Sequence, residues 1–135
     1  MLAVSVDSVA THRKWQKKEL SMMIPGGIRF PMLSDPGGSI GQSYSVYDAD
    51  AKTDQRGRFI IDPNGVFQSM EITCDALGRN ITEVLRQLRA LRHRQETGHL
   101  MPCGWEPGKP DLPSDHEASG FSGEVWKTWK TRNAF

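Results

Sequence analysis

The tripeptide Pro63-Asn64-Gly65 constrains this 135-residue chain more than any other feature. Asn-Gly tolerates the positive φ of a tight turn, and a proline beside it presets the entry. Apolar, strand-forming runs stand on both sides, Arg58-Phe-Ile-Ile-Asp62 before the turn and Val66 to Thr73 after it. Two strands joined by so short a connection must run antiparallel.

The segments before the hairpin alternate in type. Leu2-Ala-Val-Ser-Val6 is short and apolar and predicts a strand buried on both faces. It has no basic flank or cleavage site, so it reads as a strand and not as a signal peptide. Asp7 and Ser8 are caps for a helix from about Val9 to Leu20, which Pro25-Gly-Gly27 breaks. Phe30 to Leu33 predicts a second strand, ended by Ser34-Asp-Pro-Gly-Gly38. Ser39 to Val46 predicts a short helix, and polar Asp48 to Gly57 a loop. Beyond the hairpin Asn80 opens a helix, with Glu83 placed to reach back to the cap. Ile81, Val84, Leu85, Leu88 and Leu91 share one face of it, Arg86, Arg89, Arg92 and Arg94 mark the solvent side, and it ends near Arg94 to Gly98.

Strand, helix, strand, helix, hairpin, helix is an α/β order. The apolar first strand has no partner before it, so the expectation is a sheet that once extended further, in an N-terminally truncated domain. After Gly98 the composition changes. Pro102, Pro107, Pro110 and Pro113 exclude a long helix or a central strand. Phe121, Val125, Trp126, Trp129 and Phe135 are apolar anchors for this tail. The expected organisation is a domain over residues 1–98 and a tail over 99–135, with no internal repeat.

Composition narrows the function classes. Seventeen basic and 16 acidic residues leave a net charge of +1, which provides no overall attraction to nucleic acid or an anionic membrane. With 24% charged and 37% hydrophobic residues, a folded soluble protein is the default. No apolar run approaches the ~20 residues of a membrane helix. Two cysteines, Cys74 and Cys103, are too few for a secreted disulfide framework, so a cytoplasmic protein with reduced thiols is expected.

By position alone, the candidate residues each carry a plain reading. Arg56 is a solvated arginine at a strand start. Cys103, beside Pro102, Gly104 and Trp105, is either a small buried residue in a turn or an exposed thiol. Cys74 ends an apolar strand and packs there. Nothing local suggests a Cys74–Cys103 disulfide. His12 has no acidic or nucleophilic partner in sequence, and Trp15 reads as core. His93, His99 and Cys103 match no zinc motif, and neither Gly26-Gly27 nor Gly37-Gly38 sits in a phosphate-binding loop, so no metal or cofactor is expected.

Four blocks in order resemble the peroxiredoxins, thiol peroxidases of the thioredoxin-like fold. They are Val4-Ser-Val-Asp-Ser8 with Thr11, His12 and Trp15; Phe30-Pro-Met-Leu-Ser-Asp35 with Tyr44-Ser-Val-Tyr47; Arg56-Gly-Arg-Phe-Ile-Ile-Asp62 with Gly65, then Gly78-Arg79; and Pro102-Cys-Gly-Trp105 with Pro107-Gly108. The likeness runs from Leu2 to about Gly108, and more loosely through Trp126-Lys-Thr-Trp129. It also has departures. The family's Pro-x-x-x-Thr-x-x-Cys segment, which bears the peroxide-attacking cysteine, is absent from these 135 residues. The resolving cysteine is expected just before Pro102, where Met101 stands, and Cys103 lies two places later. The Gly26-Gly27 loop is shorter than in members prone to overoxidation.

The resemblance implies a two-cysteine-type peroxidase acting on hydrogen peroxide and alkyl hydroperoxides. Its reductant would be thioredoxin-like or flavoprotein-linked. Arg56 would favour the attacking thiolate and bond the peroxide oxygens. Cys103 would resolve the sulfenic acid, and Thr11, His12 and Trp15 would line the pocket. A homodimer paired through the Val66–Thr73 strand, or a ring-like homo-oligomer, would follow. The alternative is a non-catalytic binding or assembly subunit. A selenocysteine codon read as a stop, or a missed start, would also account for the absent segment.

Overall fold

The computed structural model describes residues 1–114 and 130–133. The expected anchors Phe121, Val125, Trp126, Trp129 and Phe135 lie outside the described residues. The chain divides into two compact units, Met1–Gly78 and Arg79–Phe135.

In the first unit β1 (Ala3–Ser5) pairs in parallel with β2 (Met32–Ser34), Val4 opposite Leu33. A parallel pair needs a crossover, and the helical segment between the strands supplies it. This segment is α1 (Val9–Trp15), then a π-helical turn (Gln16–Leu20) and the last turn α2 (Ser21–Met23). Ser8 caps α1 by accepting from the Thr11 N–H at 3.1 Å. The π-helical turn departs from the single helix expected to Leu20. Its Gln16 amide clasps Ile28, donating Nε2 to the carbonyl at 3.2 Å and accepting the Ile28 N–H at 3.4 Å. Glycine suits position 27, whose φ of +71° strains other residues, and an added Cβ would also push the Gln16 amide out of this clasp.

Asp35 then organises the short α3 (Ser39–Ser43). Its carboxylate accepts the N–H groups of Ser39, Ile40 and Gly41 and the Ser39 hydroxyl, at 2.8 to 3.1 Å. The segment expected as a loop, Asp48–Gly57, contributes to two small pairings. Tyr47–Asp48 (β3) and Thr53–Asp54 (β4) form an antiparallel hairpin, and β5 begins already at Arg56. The turn between them is closed by the Asp48 carboxylate, which takes the Asp50 and Ala51 N–H groups at 2.9 Å. An Asx turn of this kind is compatible with the polar composition that argued for a loop.

The strongest sequence signal holds. β5 (Arg56–Ile61) and β6 (Phe67–Thr73) are antiparallel, with Arg56 opposite Thr73. Positive φ falls on Gly65 alone of the turn residues, at +82°. Gly65 donates back to the Asp62 carbonyl at 3.0 Å, and Asp62 Oδ1 receives the Asn64 and Val66 N–H groups. Tyr44, Phe59 and Phe67 pack edge to face with ring centroids 4.8 to 5.8 Å apart.

The expectation that β1 is buried on both faces does not hold. Leu2 and Val4 are exposed, as are Leu33 on β2 and Phe67, Met70 and Ile72 on β6. The apolar sequence records what the strand can pack against. In this fold β1 has one strand neighbour among the described residues, β2, and Val4 at its centre stays exposed.

The second unit holds α4 (Ile81–Thr97), capped by Asn80, whose side chain accepts from the Glu83 N–H at 3.2 Å, and closed by Gly98 at φ +75°. Ile81, Leu85 and Leu88 of its apolar stripe are exposed. The following segment is held by a bridge between Leu100 and Leu112 and by Trp105, only 2% exposed.

Candidate active site

Two of the three residues expected to line a pocket face solvent. Thr11 and Trp15 are exposed on α1, which corrects the core reading of Trp15. The Trp15 indole donates to Glu19 at 3.1 Å along the helix. His12 is 7% exposed, and its Nε2 lies 2.8 Å from Ser5 Oγ. The partner that His12 lacks in its own neighbourhood of sequence comes from β1, across the strand-to-helix turn. Ser5 Oγ in turn donates to Asp7 Oδ2 at 3.2 Å. A serine has one hydroxyl proton. When it goes to Asp7, His12 donates Nε2–H to Ser5 and its free lone pair sits on Nδ1, which is buried without a partner. The order of groups is therefore not that of an activated serine, whose base must take the hydroxyl proton.

Arg56 opens β5 with its guanidinium partly exposed. Its Nε stands 3.7 Å from Asp75 Oδ1, itself exposed. An exposed pair of this kind is worth about 0–1 kcal/mol, so the guanidinium can leave Asp75 for a stronger anion at little cost. The next arginine on the same face, Arg58, is held against Glu71 on β6. Beside Arg56 an open cavity of about 300 Å³ lies between the β3–β4 hairpin and the end of β6, with Asp54, Thr73, Cys74 and Asp75 among its walls. Burial raises the Asp54 carboxyl above its ordinary pKa, and the Asp35 charge adds to this. Burial would also raise Asp35, but hydrogen bonds from Gly41, Ser39 and Ile40 hold it below the usual carboxylate range. Cys74 is exposed and free, so it does not pack at the strand end as expected.

Cys103 sits in the second unit at the corner of a turn built by Pro102-Cys-Gly-Trp105. Trp105 N donates to the Pro102 carbonyl at 3.1 Å, and Gly104 takes φ +64°. That is the type II geometry, in which the third residue must be glycine or asparagine. Trp105 anchors the turn from below. Its indole donates to the Lys109 carbonyl at 3.1 Å and lies 4.7 Å from the His93 ring. Arg86, gripped by Glu83, donates to the Trp105 carbonyl at 3.0 Å. The hydrogen bond to Glu83 raises the Arg86 pKa further. So Arg86, expected on the solvent side of α4, turns toward the tail segment. Cys103 itself is exposed and free. His93 and His99 converge on Asp111, at 2.6 and 3.1 Å, and not on the thiol. Among the described residues no group of three or more His, Cys, Asp or Glu side chains is arranged to hold a metal ion.

Comparison with known proteins places this geometry. Solved structures of similar fold are peroxiredoxins, so the class is α/β of the thioredoxin-like type. The reduced 2-Cys peroxiredoxin of Plasmodium vivax matches with a TM-score of 0.77 and 34% identity, over 86% of this chain and 60% of that one. A yeast mitochondrial 1-Cys peroxiredoxin, 24% identical, shares the fold with a TM-score of 0.76 over 93% of this chain. Residues 1–70 match the AhpC/TSA family, and residues 90–128 match the C-terminal domain of 1-Cys peroxiredoxin. The chain belongs to the AhpC/TSA family. Among curated relatives, the selenocysteine-containing peroxiredoxin PrxU of Peptoclostridium acidaminophilum is 47% identical over the whole of this chain and 66% of its own length. The chloroplastic 2-Cys peroxiredoxin BAS1 of Hordeum vulgare is 37% identical over 88% of this chain and 57% of its own. The chain thus spans between half and two-thirds of the length of these relatives.

Proposed function

We propose that the chain serves in the thiol-dependent reduction of hydrogen peroxide and alkyl hydroperoxides. The observation that carries this is Arg56 at the start of β5, inside the AhpC/TSA match, with the guanidinium partly exposed and paired among the described residues with a weak surface partner, Asp75. In this reading a thiolate attacks the peroxide O–O bond and becomes a sulfenic acid, and the leaving oxygen takes a proton. Arg56 favours the thiolate and donates to the oxygens as charge moves onto them. Cys103, displayed at a turn corner, condenses with the sulfenic acid, releasing water and forming a disulfide. A thioredoxin-like or flavoprotein-linked dithiol then reopens it. Thr11, His12 and Trp15 flank the reacting groups, Trp15 through its exposed ring. The edge of β6 away from β5, which pairs with no other strand among the described residues, supports pairing into a homodimer. Two exposed free thiols suit a reducing compartment, and the cytoplasm is the location we propose; no helix among the described residues is long and apolar enough to cross a membrane.

A second reading is favoured by one observation. Neither Cys74 nor Cys103 stands in a Pro-x-x-x-Thr-x-x-Cys segment. The chain alone would then be a non-catalytic assembly subunit, joined to a partner by its sheet edge. Peroxide consumption by the isolated chain, with a dithiol donor, separates the two. Sustained turnover removes the assembly reading. Without turnover, the chain is fused behind a peroxidatic segment. There Cys103→Ser should abolish donor-coupled turnover, and an unchanged rate would exclude Cys103 from the mechanism.

A further inference from the structure

The net charge of +1 conceals a local concentration of cations. Arg13, Lys14, Lys17 and Lys18 fall within six residues on α1 and the π-helical turn, and all four are exposed. Arg58, Arg86, Arg92 and Lys109 have acidic partners. The four helix cations have none among the described residues. Glu19 is the one acid on this helix, and its carboxylate takes the Trp15 indole N–H at 3.1 Å. Arg13 and Lys17, and Lys14 and Lys18, are four apart, a spacing at which like charges repel and cost helix stability. Immediately beyond them Met22 and Met23 are 82% and 76% exposed.

The opposite side of the same segment is committed inward. His12 and Leu20 are buried, and Gln16 clasps the Ile28 backbone through both ends of its amide. The cations are therefore presented on a helix that its own fold holds in place. We propose that the Arg13–Lys14–Lys17–Lys18 ridge, with Met22 and Met23 at its end, docks an acidic polypeptide segment that also carries apolar side chains. Charge complementarity covers the ridge, and the flexible thioethers cover the apolar part. A bilayer is disfavoured, because an interfacial helix must sink a broad apolar face, and here that face is used by the fold. A nucleic acid backbone is disfavoured, because it offers the exposed methionines nothing apolar. This inference is independent of the peroxidase reading.

The full chain tests it by fluorescence anisotropy with a labelled peptide of alternating glutamate and leucine. Vesicles of mixed neutral and anionic phospholipid, and a short DNA duplex, serve as the other arms. Binding of the peptide should weaken at least ~10-fold between about 50 and about 500 mM NaCl, as screening shortens from roughly 14 to 4 Å. Lys14→Glu with Lys18→Glu should weaken it at least ~10-fold at low salt. Met22→Ser with Met23→Ser should weaken it by roughly threefold at any salt. An affinity unchanged by the charge reversal, or tighter binding to vesicles or DNA, overturns the proposal. If the reversed variant melts early, the wild-type chain decides the matter with a lysine–leucine peptide. Binding equal to that of the acidic peptide would overturn it too.

Discussion

His93 and Asp111 meet at 2.6 Å, and this contact fastens the segment after α4 back onto the helix. His99 approaches the other carboxylate oxygen at 3.1 Å. The hydrogen bond from His93 holds the Asp111 carboxyl below its ordinary pKa against a partial desolvation, with His99 helping. A lowered carboxylate contributes stability that is complete above its unfolded pKa of about 3.9 and is lost as pH falls through the lower folded value. Asp111→Ala should cost about 1–3 kcal/mol near neutral pH. It should also remove part of the acid-induced loss below about pH 4, as read by thermal melts across pH.

Asp54 is expected to act in the opposite sense. Its carboxyl is raised, so the folded state binds its proton more tightly than the unfolded chain does. The resulting penalty is absent below the unfolded pKa and complete above the folded one. Asp54→Asn should therefore gain stability relative to wild type as pH rises from about 4, and the gap should close in stronger acid. Paired denaturant titrations would show it; a gap that widens in acid would contradict the assignment.

Gly38 has no room for a side chain and no L-residue backbone. Its φ is +66°, and an added Cβ would meet the Tyr47 ring at 2.2 Å. Gly38→Ala should destabilise the first unit by roughly 1–3 kcal/mol. Gly65→Ala shares the positive φ without the clash and should cost less. Chemical denaturation of the two variants ranks them.

Trp105 is the most deeply buried apolar side chain among the described residues. Trp105→Ala should cost about 3–5 kcal/mol and release the Cys103 turn. The rate at which Cys103 reacts with an alkylating reagent, in a Cys74→Ser background, reports that release.

Both thiols are exposed and unpaired. Native protein should therefore react with an aromatic disulfide reagent at two sites, without denaturant. A single fast thiol would show that one of them is covered in solution.

Much of the fold was legible in sequence because its signals are local. Pro63-Asn-Gly65 forces a hairpin within four residues, Ser8 and Asn80 cap their helices through amides three residues away, and Gly98 ends α4 with a positive φ. The Pro-Cys-Gly-Trp turn is of the same kind, since glycine at its third place selects the type II form. The ordered blocks around Arg56 and Trp105 likewise pointed to the family from sequence.

Burial and partnership were not legible, because they join residues that the sequence keeps apart. The composition of β1 says that it can be covered on both sides, while only the tertiary structure shows Leu2 and Val4 exposed. His12 finds Ser5, Arg86 finds the Trp105 carbonyl, and His93 finds Asp111 across 7, 19 and 18 residues. No local propensity encodes such meetings. Each depends on where a chain reversal brings two elements together, and on which of their faces packing removes from water.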